Sequence, residues 1–154
     1  MMNFQRVSLR AAHFTKLVLD ILFVLGIAAT VSVPWSFRLA AKLYPELQRH
    51  ISVQIVLFML SAVGAVAIIY ELRRMFHTVL AQDCFVRQNV KSLLRMAYEA
   101  FAIAAVTAVR ALVVFTPATL LIIGVFFLAG LFSLVLSQVF DRAVSYKEEN
   151  DLTI

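Results

Sequence analysis

Ala118–Phe140, ATLLIIGVFFLAGLFSLVLSQVF, contains no charged residue. A helix needs about 20 mostly apolar residues to cross the hydrocarbon of a bilayer. This stretch supplies them without interruption, and it decides the class of the whole chain. Working back toward the N-terminus, three more runs of similar kind appear, over 97–115, 51–70 and 17–35. Glu99 and Arg110 stand near the two ends of the 97–115 run, and Asp20 near the start of 17–35. Pro34 is expected to close the first span and Pro117 to open the fourth, positions where proline is tolerated.

The composition agrees with these four spans. Of 154 residues, 62% are hydrophobic and 15% charged, and the mean hydropathy is +0.90. Soluble domains average nearer 45–50% apolar and about 25% charged. A short chain has too much surface for its volume to hide such an excess in a water-soluble core. Only 3 Pro and 4 Gly leave little loop, and no repeat or linker is visible. A single domain over 1–154 is expected. The first run has a basic start, but it is long for a signal peptide and no convincing cleavage site follows, so it is expected to remain as a span.

Lysine and arginine set the orientation. Arg6, Arg10 and Lys16, then Arg73, Arg74, Arg87, Lys91 and Arg95, then Arg142 and Lys147, all fall on one side. The other side holds Arg38, Lys42 and Arg49. Ten against three places both termini in the cytoplasm by the positive-inside rule, with a bacterial cytoplasmic membrane as the expected location. Trp35 and Tyr44 suit the outer interface, and Tyr70, Tyr98 and Tyr146 the inner one. The fold class is therefore an all-α membrane protein. It is expected to be a four-transmembrane-helix antiparallel bundle, with helices extended into the cytoplasm.

Two cytoplasmic segments carry most of the polar pattern. Helical spacing continues through 71–80, breaks at 81–85, and resumes with Val86, Val90, Leu93 and Leu94 on one face and Arg87, Lys91 and Arg95 on another. This hairpin, about 71–96, either protrudes into the cytoplasm or lies on the headgroups, since periodicity does not separate the two. The tail, 141–154, is expected to stay helical to about Glu148. It ends in an acidic patch of Glu148, Glu149 and Asp151, followed by Leu152 and Ile154. It either docks on the basic hairpin or frays into solvent.

Phe85-Val-Arg-Gln-Asn-Val-Lys-Ser-Leu-Leu, with Phe140 and the terminal Lys147-Glu-Glu-Asn-Asp-Leu-Thr-Ile, resembles the YoaS-like family of small bacterial membrane proteins. The resemblance implies four spans, a Phe-x-x-x-Asn hairpin and the same C-terminal motif, but no established activity. Genes of that family often sit beside a small helix-turn-helix regulator, which implies a regulatory pairing. For the motif residues, Phe85 is a candidate plug at the base of the hairpin. Asn89 is a candidate cap where the third helix restarts.

No constellation for catalysis is present, and no enzyme or cofactor is expected: there is no Gly-rich phosphate loop, HExxH or GxSxG. His13 and His77 fall on the inner side with Cys84, and His50 on the outer; the inner three match no zinc spacing, so no metal is expected. Cys84 is the single cysteine, which excludes an intrachain disulfide, and an inert thiol is a plainer expectation than a redox sensor. No nucleic-acid-binding motif accompanies the net charge of +5, so direct contact with nucleic acid is not expected. Two functions stay open, beside a purely structural reading as an accessory subunit of a larger membrane complex. One is a non-enzymatic membrane partner that holds a cytoplasmic helix-turn-helix regulator. Its contacts would come from Arg87, Lys91, Arg95, Lys147, Glu148, Glu149, Asp151, Leu152 and Ile154. The other is a small transporter or channel-like subunit, built on the ionisable groups near the span ends: Asp20, Glu71, Glu99 and Arg110. In it, Asp20, Glu71 and Glu99 would converge on one inner cavity. Stripes of small residues, Ala97, Ala100, Ala104, Ala108 and Ala111 on the third helix and Gly130, Ser133 and Ser137 on the fourth, favour close helix packing, within the chain or in a homo-oligomer.

Overall fold

A computed structural model describes residues 2–43, 48, 50–81 and 83–151, with side chains from residue 11 onward. Four helices follow in order: α1 Met2–Leu43, α2 Ile51–Leu80, α3 Arg87–Val113 and α4 Pro117–Asp151. All four are long and apolar enough to cross a membrane. At 1.5 Å per residue, the 35 residues of α4 extend about 52 Å. The hydrocarbon core is only about 30 Å thick, so a substantial part of α4 stands clear of it.

Cross-helix contacts fix the topology. Asp20 meets Arg73, Phe23 meets Tyr70 and Phe37 meets Phe58, so α1 and α2 run antiparallel. Thr78 meets Asn89 and Glu71 meets Arg95, which sets α2 against α3. Arg87 meets Glu148 and Phe101 meets Phe127, which sets α3 against α4. Packing follows chain order, most extensively between α3 and α4. The N-terminal start of α1, the 81–86 connector and the end of α4 therefore share one end, here the terminal end. The end of α1, the start of α2 and the connector at 114–116 share the opposite end.

The core lies along α3. Leu93, Met96, Ala97, Ala100, Ile103, Ala104 and Thr107 are buried in a line at helical spacing. The expected alanine stripe holds for its first half: Ala97, Ala100 and Ala104 are buried, but Ala108 is exposed, because the buried line continues through Ile103 and Thr107. On α4, Gly130 and Ser137 are buried and Ser133 is half-buried. A Cβ on Gly130 would lie 2.7 Å from the Phe101 ring, so only glycine admits that ring against the backbone. Outside this line the surface is apolar. Val125 is 63% exposed, Phe132 66% and Leu121 72%, a pattern that water would penalise and lipid accepts.

Pro34 does not close the first helix. It lies inside α1, which continues to Leu43. Serine hydroxyls beside it bond back to the backbone, Ser32 to the Ala29 carbonyl at 2.8 Å and Ser36 to the Ser32 carbonyl at 3.0 Å. Neither reaches the Thr30 carbonyl, which Pro34 leaves without its i→i−4 donor, a loss that spanning helices tolerate. Gln48 Nε2 then donates to the Ala41 carbonyl at 3.0 Å, satisfying one of the acceptors left over where α1 ends. At the other end of the sequence, Pro117 is the first residue of α4, where its missing N–H costs no hydrogen bond.

Candidate functional site

The polar groups gather at the terminal end, around the turn from α2 to α3. Helix α2 ends at Leu80, and the Asp83 amide returns to the Thr78 carbonyl at 3.1 Å. Val86 is extended and has no side chain able to cap α3. Asn89, 1% exposed, holds the turn from inside. Its Nδ2 donates to the Cys84 carbonyl at 2.8 Å and to Thr78 Oγ1 at 2.7 Å, and Thr78 passes its own proton to the Met75 carbonyl at 2.7 Å. Asn89 does meet a backbone group near the restart of the helix. The group is a carbonyl of the connector, however, and not one of the free N–H groups that a capping residue serves. Its Oδ1 is buried without a partner among the described residues.

Arg87 opens α3 and reaches α4. Nε donates to Glu148 Oε1 at 3.1 Å and Nη2 to Glu148 Oε2 at 2.7 Å. Nη1 reaches Asp141 Oδ1 at 2.5 Å and Nη2 reaches Ser145 Oγ at 3.2 Å. Positions 141, 145 and 148 lie on one face of a helix, so a single guanidinium engages two turns of α4. Val144, on the same face, is 2% exposed, and the Phe140 ring packs at a tilt against Phe85 with ring centroids 5.4 Å apart. Phe85 therefore braces the turn against α4 and remains 47% exposed, instead of plugging its base. Lys147 Nζ donates to Asp83 Oδ1 at 2.8 Å, tying α4 to the connector as well. The two carboxylates also sit near the N-terminus of α3, where the helix dipole favours negative charge.

These bonds shift the charges in consistent directions. The hydrogen bond from Arg87 holds the Glu148 carboxyl below the usual glutamate range. The bond to Glu148 makes Arg87 hold its proton more firmly than usual. Asp83 does the same for Lys147. The tail is thus docked as an ordered helix through Asp151.

A second polar group sits deeper. Glu71, 4% exposed, accepts from Ser92 Oγ at 2.6 Å and from Arg95 Nη1 at 3.0 Å. Glu99 lies close enough for the two carboxylates to repel, and its Oε2 is buried without a partner among the described residues. Asp20 does not join them. It accepts from Arg73 Nε at 2.6 Å, while the Arg73 guanidinium lies 4.4 Å from the centre of the Phe23 ring. Residues 71 and 73 are two apart on α2 and face different neighbours, so the acidic residues divide between the α1–α2 and α2–α3 seams.

The structure therefore brings Arg87, Lys147 and Glu148 together, pairs Arg95 with Glu71 while Arg95 stays exposed, and leaves Lys91 exposed as well. Glu149 has a partner of its own, and Asp151 lies near enough to Lys147 to attract it. Leu152 and Ile154 lie outside the described residues. Asp83, Asp141 and Ser145 were not singled out in the sequence, although the 141/145/148 spacing was visible there. Among the described residues, no three His, Cys, Asp or Glu side chains gather as metal ligands would.

With this geometry in place, the comparisons give the family. Residues 35–154 match a family described as a protein of unknown function, DUF2975, and the chain belongs to it. That range takes in the end of α1, all of α2 and α3, and the whole latch between α3 and α4. No curated protein and no solved structure matches.

Proposed function

We propose that this is a non-enzymatic protein of the bacterial cytoplasmic membrane, with its terminal end in the cytoplasm and a soluble partner held there. The observation that carries this reading is the latch. Helix α4 continues well past the bilayer as an ordered segment, clamped to α3 and to the connector by Arg87 and Lys147. Spanning a membrane requires no such extension. The ten-to-three distribution of lysine and arginine supports the orientation. The partner suggested by the resemblance at 85–94 and 147–154 is a small helix-turn-helix regulator.

The latched surface modifies the simplest picture of that contact. Glu148 is already neutralised by Arg87, so attraction between a basic DNA-binding module and a free acidic tail is weakened. The partner instead recognises the composite surface made by the start of α3 and the end of α4, with exposed Lys91 beside it. A change in the membrane that shifts α4 against α3 alters this surface and frees the regulator. The test is a mild-detergent pull-down of the tagged chain from its native membrane, comparing the natural protein with R87E, E148R and the double exchange. A regulator lost from both single variants and recovered with the double exchange supports the reading. Equal recovery from all four samples overturns it.

A further inference from the structure

A cavity of about 310 Å3 opens between α2, α3 and α4 in the half of the bundle away from the termini. Phe58, Ala62, Ala65, Ile103, Ile122 and Phe126 make its wall apolar, and Arg110 stands on its border. From Arg110 to Ile103 along α3 is seven residues, about 10 Å. Gly64 allows Ile103 to close the inner end, since a Cβ on that glycine would lie 3.0 Å from Ile103 Cγ1.

Arg110 is the group that calls for an explanation. It lies within the third span, less than two turns from the end of α3, and its guanidinium rests 5.6 Å from the centre of the Phe58 ring. Among the described residues it has no carboxylate partner. The other arginine stacked on a ring, Arg73, has Asp20 as well. Cations inside spans normally pair with an anion or reach the interface. A planar guanidinium suits a phosphate because it donates two parallel bonds.

We infer that this cavity binds one acidic phospholipid of the adjacent leaflet, with its phosphate on Arg110 and one acyl chain along Phe58, Ala62 and Phe126. Charge and depth agree. Arg110 lies in the last turn of α3, at one margin of the cavity, and the apolar wall runs from it along α3 to Ile103. The volume lies at the low end of the range for ligand pockets, which suits one chain and not a bulky ring system. The lysines and arginines at the terminal end serve the other leaflet and do not reach this site.

A single tryptophan on the cavity wall reports the site alone. Trp35 is the only tryptophan in the chain, so W35F/F126W leaves one reporter beside the cavity. The full chain is reconstituted in phosphatidylcholine vesicles containing a minor fraction of bromine-labelled lipid, either phosphatidylglycerol or phosphatidylcholine. The brominated phosphatidylglycerol is expected to quench with about tenfold higher apparent affinity, the scale of a charge-assisted bond. That preference should vanish in R110Q and survive in R110K, which keeps the charge and controls for misfolding. Quenching that is equal for the two lipids in the parent protein overturns the proposal, as does a preference unchanged by R110Q. Loss of the preference on adding inorganic phosphate would also overturn it, by assigning Arg110 to a free anion.

Discussion

Arg87 at the start of α3 and Glu148 near the end of α4 form a two-pronged ion pair across sixty-one positions of sequence, with bonds of 3.1 and 2.7 Å. The contact is exposed on both sides. Its importance lies in position more than in strength, because exposed ion pairs contribute little each. It sets where the last turns of α4 sit, and therefore what surface the terminal end presents.

Breaking that pair should loosen α4 locally and leave the spans intact. In R87E, amides in 141–151 are expected to exchange hydrogen several-fold faster, while those in 97–107 stay protected. Exchanging the charges, R87E with E148R, should restore much of the protection, with Asp141 now pairing less well because the cation has moved off α3. Hydrogen exchange by mass spectrometry in detergent or nanodiscs reads both outcomes. No change in 141–151 for R87E would show that Val144 and Phe140 hold the tail without the ion pair.

The latch has a predictable pH dependence. Glu148 is held below its usual range by Arg87, so its stabilising contribution is complete above the ordinary glutamate value and is lost as pH falls through the lowered one. Lys147 is shifted upward by Asp83, so its contribution is complete below the ordinary lysine value and is lost as pH rises through the raised one. Ordinary values near 4.3 and 10.4 leave a broad plateau between them. The tail should therefore be insensitive to pH across the physiological range and sensitive to salt, which screens exposed pairs. A protease-accessibility profile of the tail against pH, at low and high salt, checks this. A sharp change near pH 6–7 would contradict it.

The four spans were legible because lipid imposes length and composition on each helix separately, so Ala118–Phe140 could be read without knowing its neighbours. Side-chain partners needed the third dimension. Asp20, Glu71 and Glu99 share a depth in the sequence, yet the two-residue step from Glu71 to Arg73 places them on different seams. Pro34 marks no stop, because a helix in lipid carries an internal proline that a helix in water would not tolerate. The residue type of Asn89 suits the start of a helix, but sequence alone does not show that its donor meets the Cys84 carbonyl instead of its acceptor meeting a free N–H.

Asn89 accordingly supports a clear expectation. Truncation in N89A leaves the Cys84 carbonyl without that donor in a buried site, at a cost of about 1–3 kcal/mol. N89D should be at least as damaging, because a carboxylate would face a carbonyl and a hydroxyl that is already donating to Met75. T78V removes one acceptor and should cost less than either. Thermal unfolding in a fixed detergent orders the three variants, and N89D as stable as the natural protein would refute this assignment of the bonds.

Two glycines on α4 test the packing against α3. An added methyl at Gly130 would meet the Phe101 ring at 2.7 Å, whereas one at Gly124 meets nothing within 4 Å. G130A should destabilise by about 1–3 kcal/mol through overpacking. G124A should be neutral or stabilising by up to about 1 kcal/mol, since alanine is the better helix former. Comparing their unfolding temperatures separates a packing role for Gly130 from a general tolerance of alanine in spans.

The deeper carboxylates distinguish a structural role from a transport role. Glu71 has two donors, Ser92 and Arg95, whereas Glu99 Oε2 is buried with none among the described residues. Removing the charge of Glu71 in E71Q weakens two charge-assisted bonds, so a loss of about 1.5–3 kcal/mol is expected. Removing the charge of Glu99 in E99Q relieves the cost of burying it and the repulsion from Glu71, which together outweigh the lost attraction to Arg95, and it supplies an amide that can donate, so stability should hold or rise. If these residues only knit α2 to α3, neither variant changes proton or cation flux in proteoliposomes, because the natural protein has none to change. A flux present in the natural protein and abolished by E99Q, in a variant at least as stable, would move the function from docking to transport. The stability result makes that reading secure, since a lost flux could not then be blamed on a lost fold.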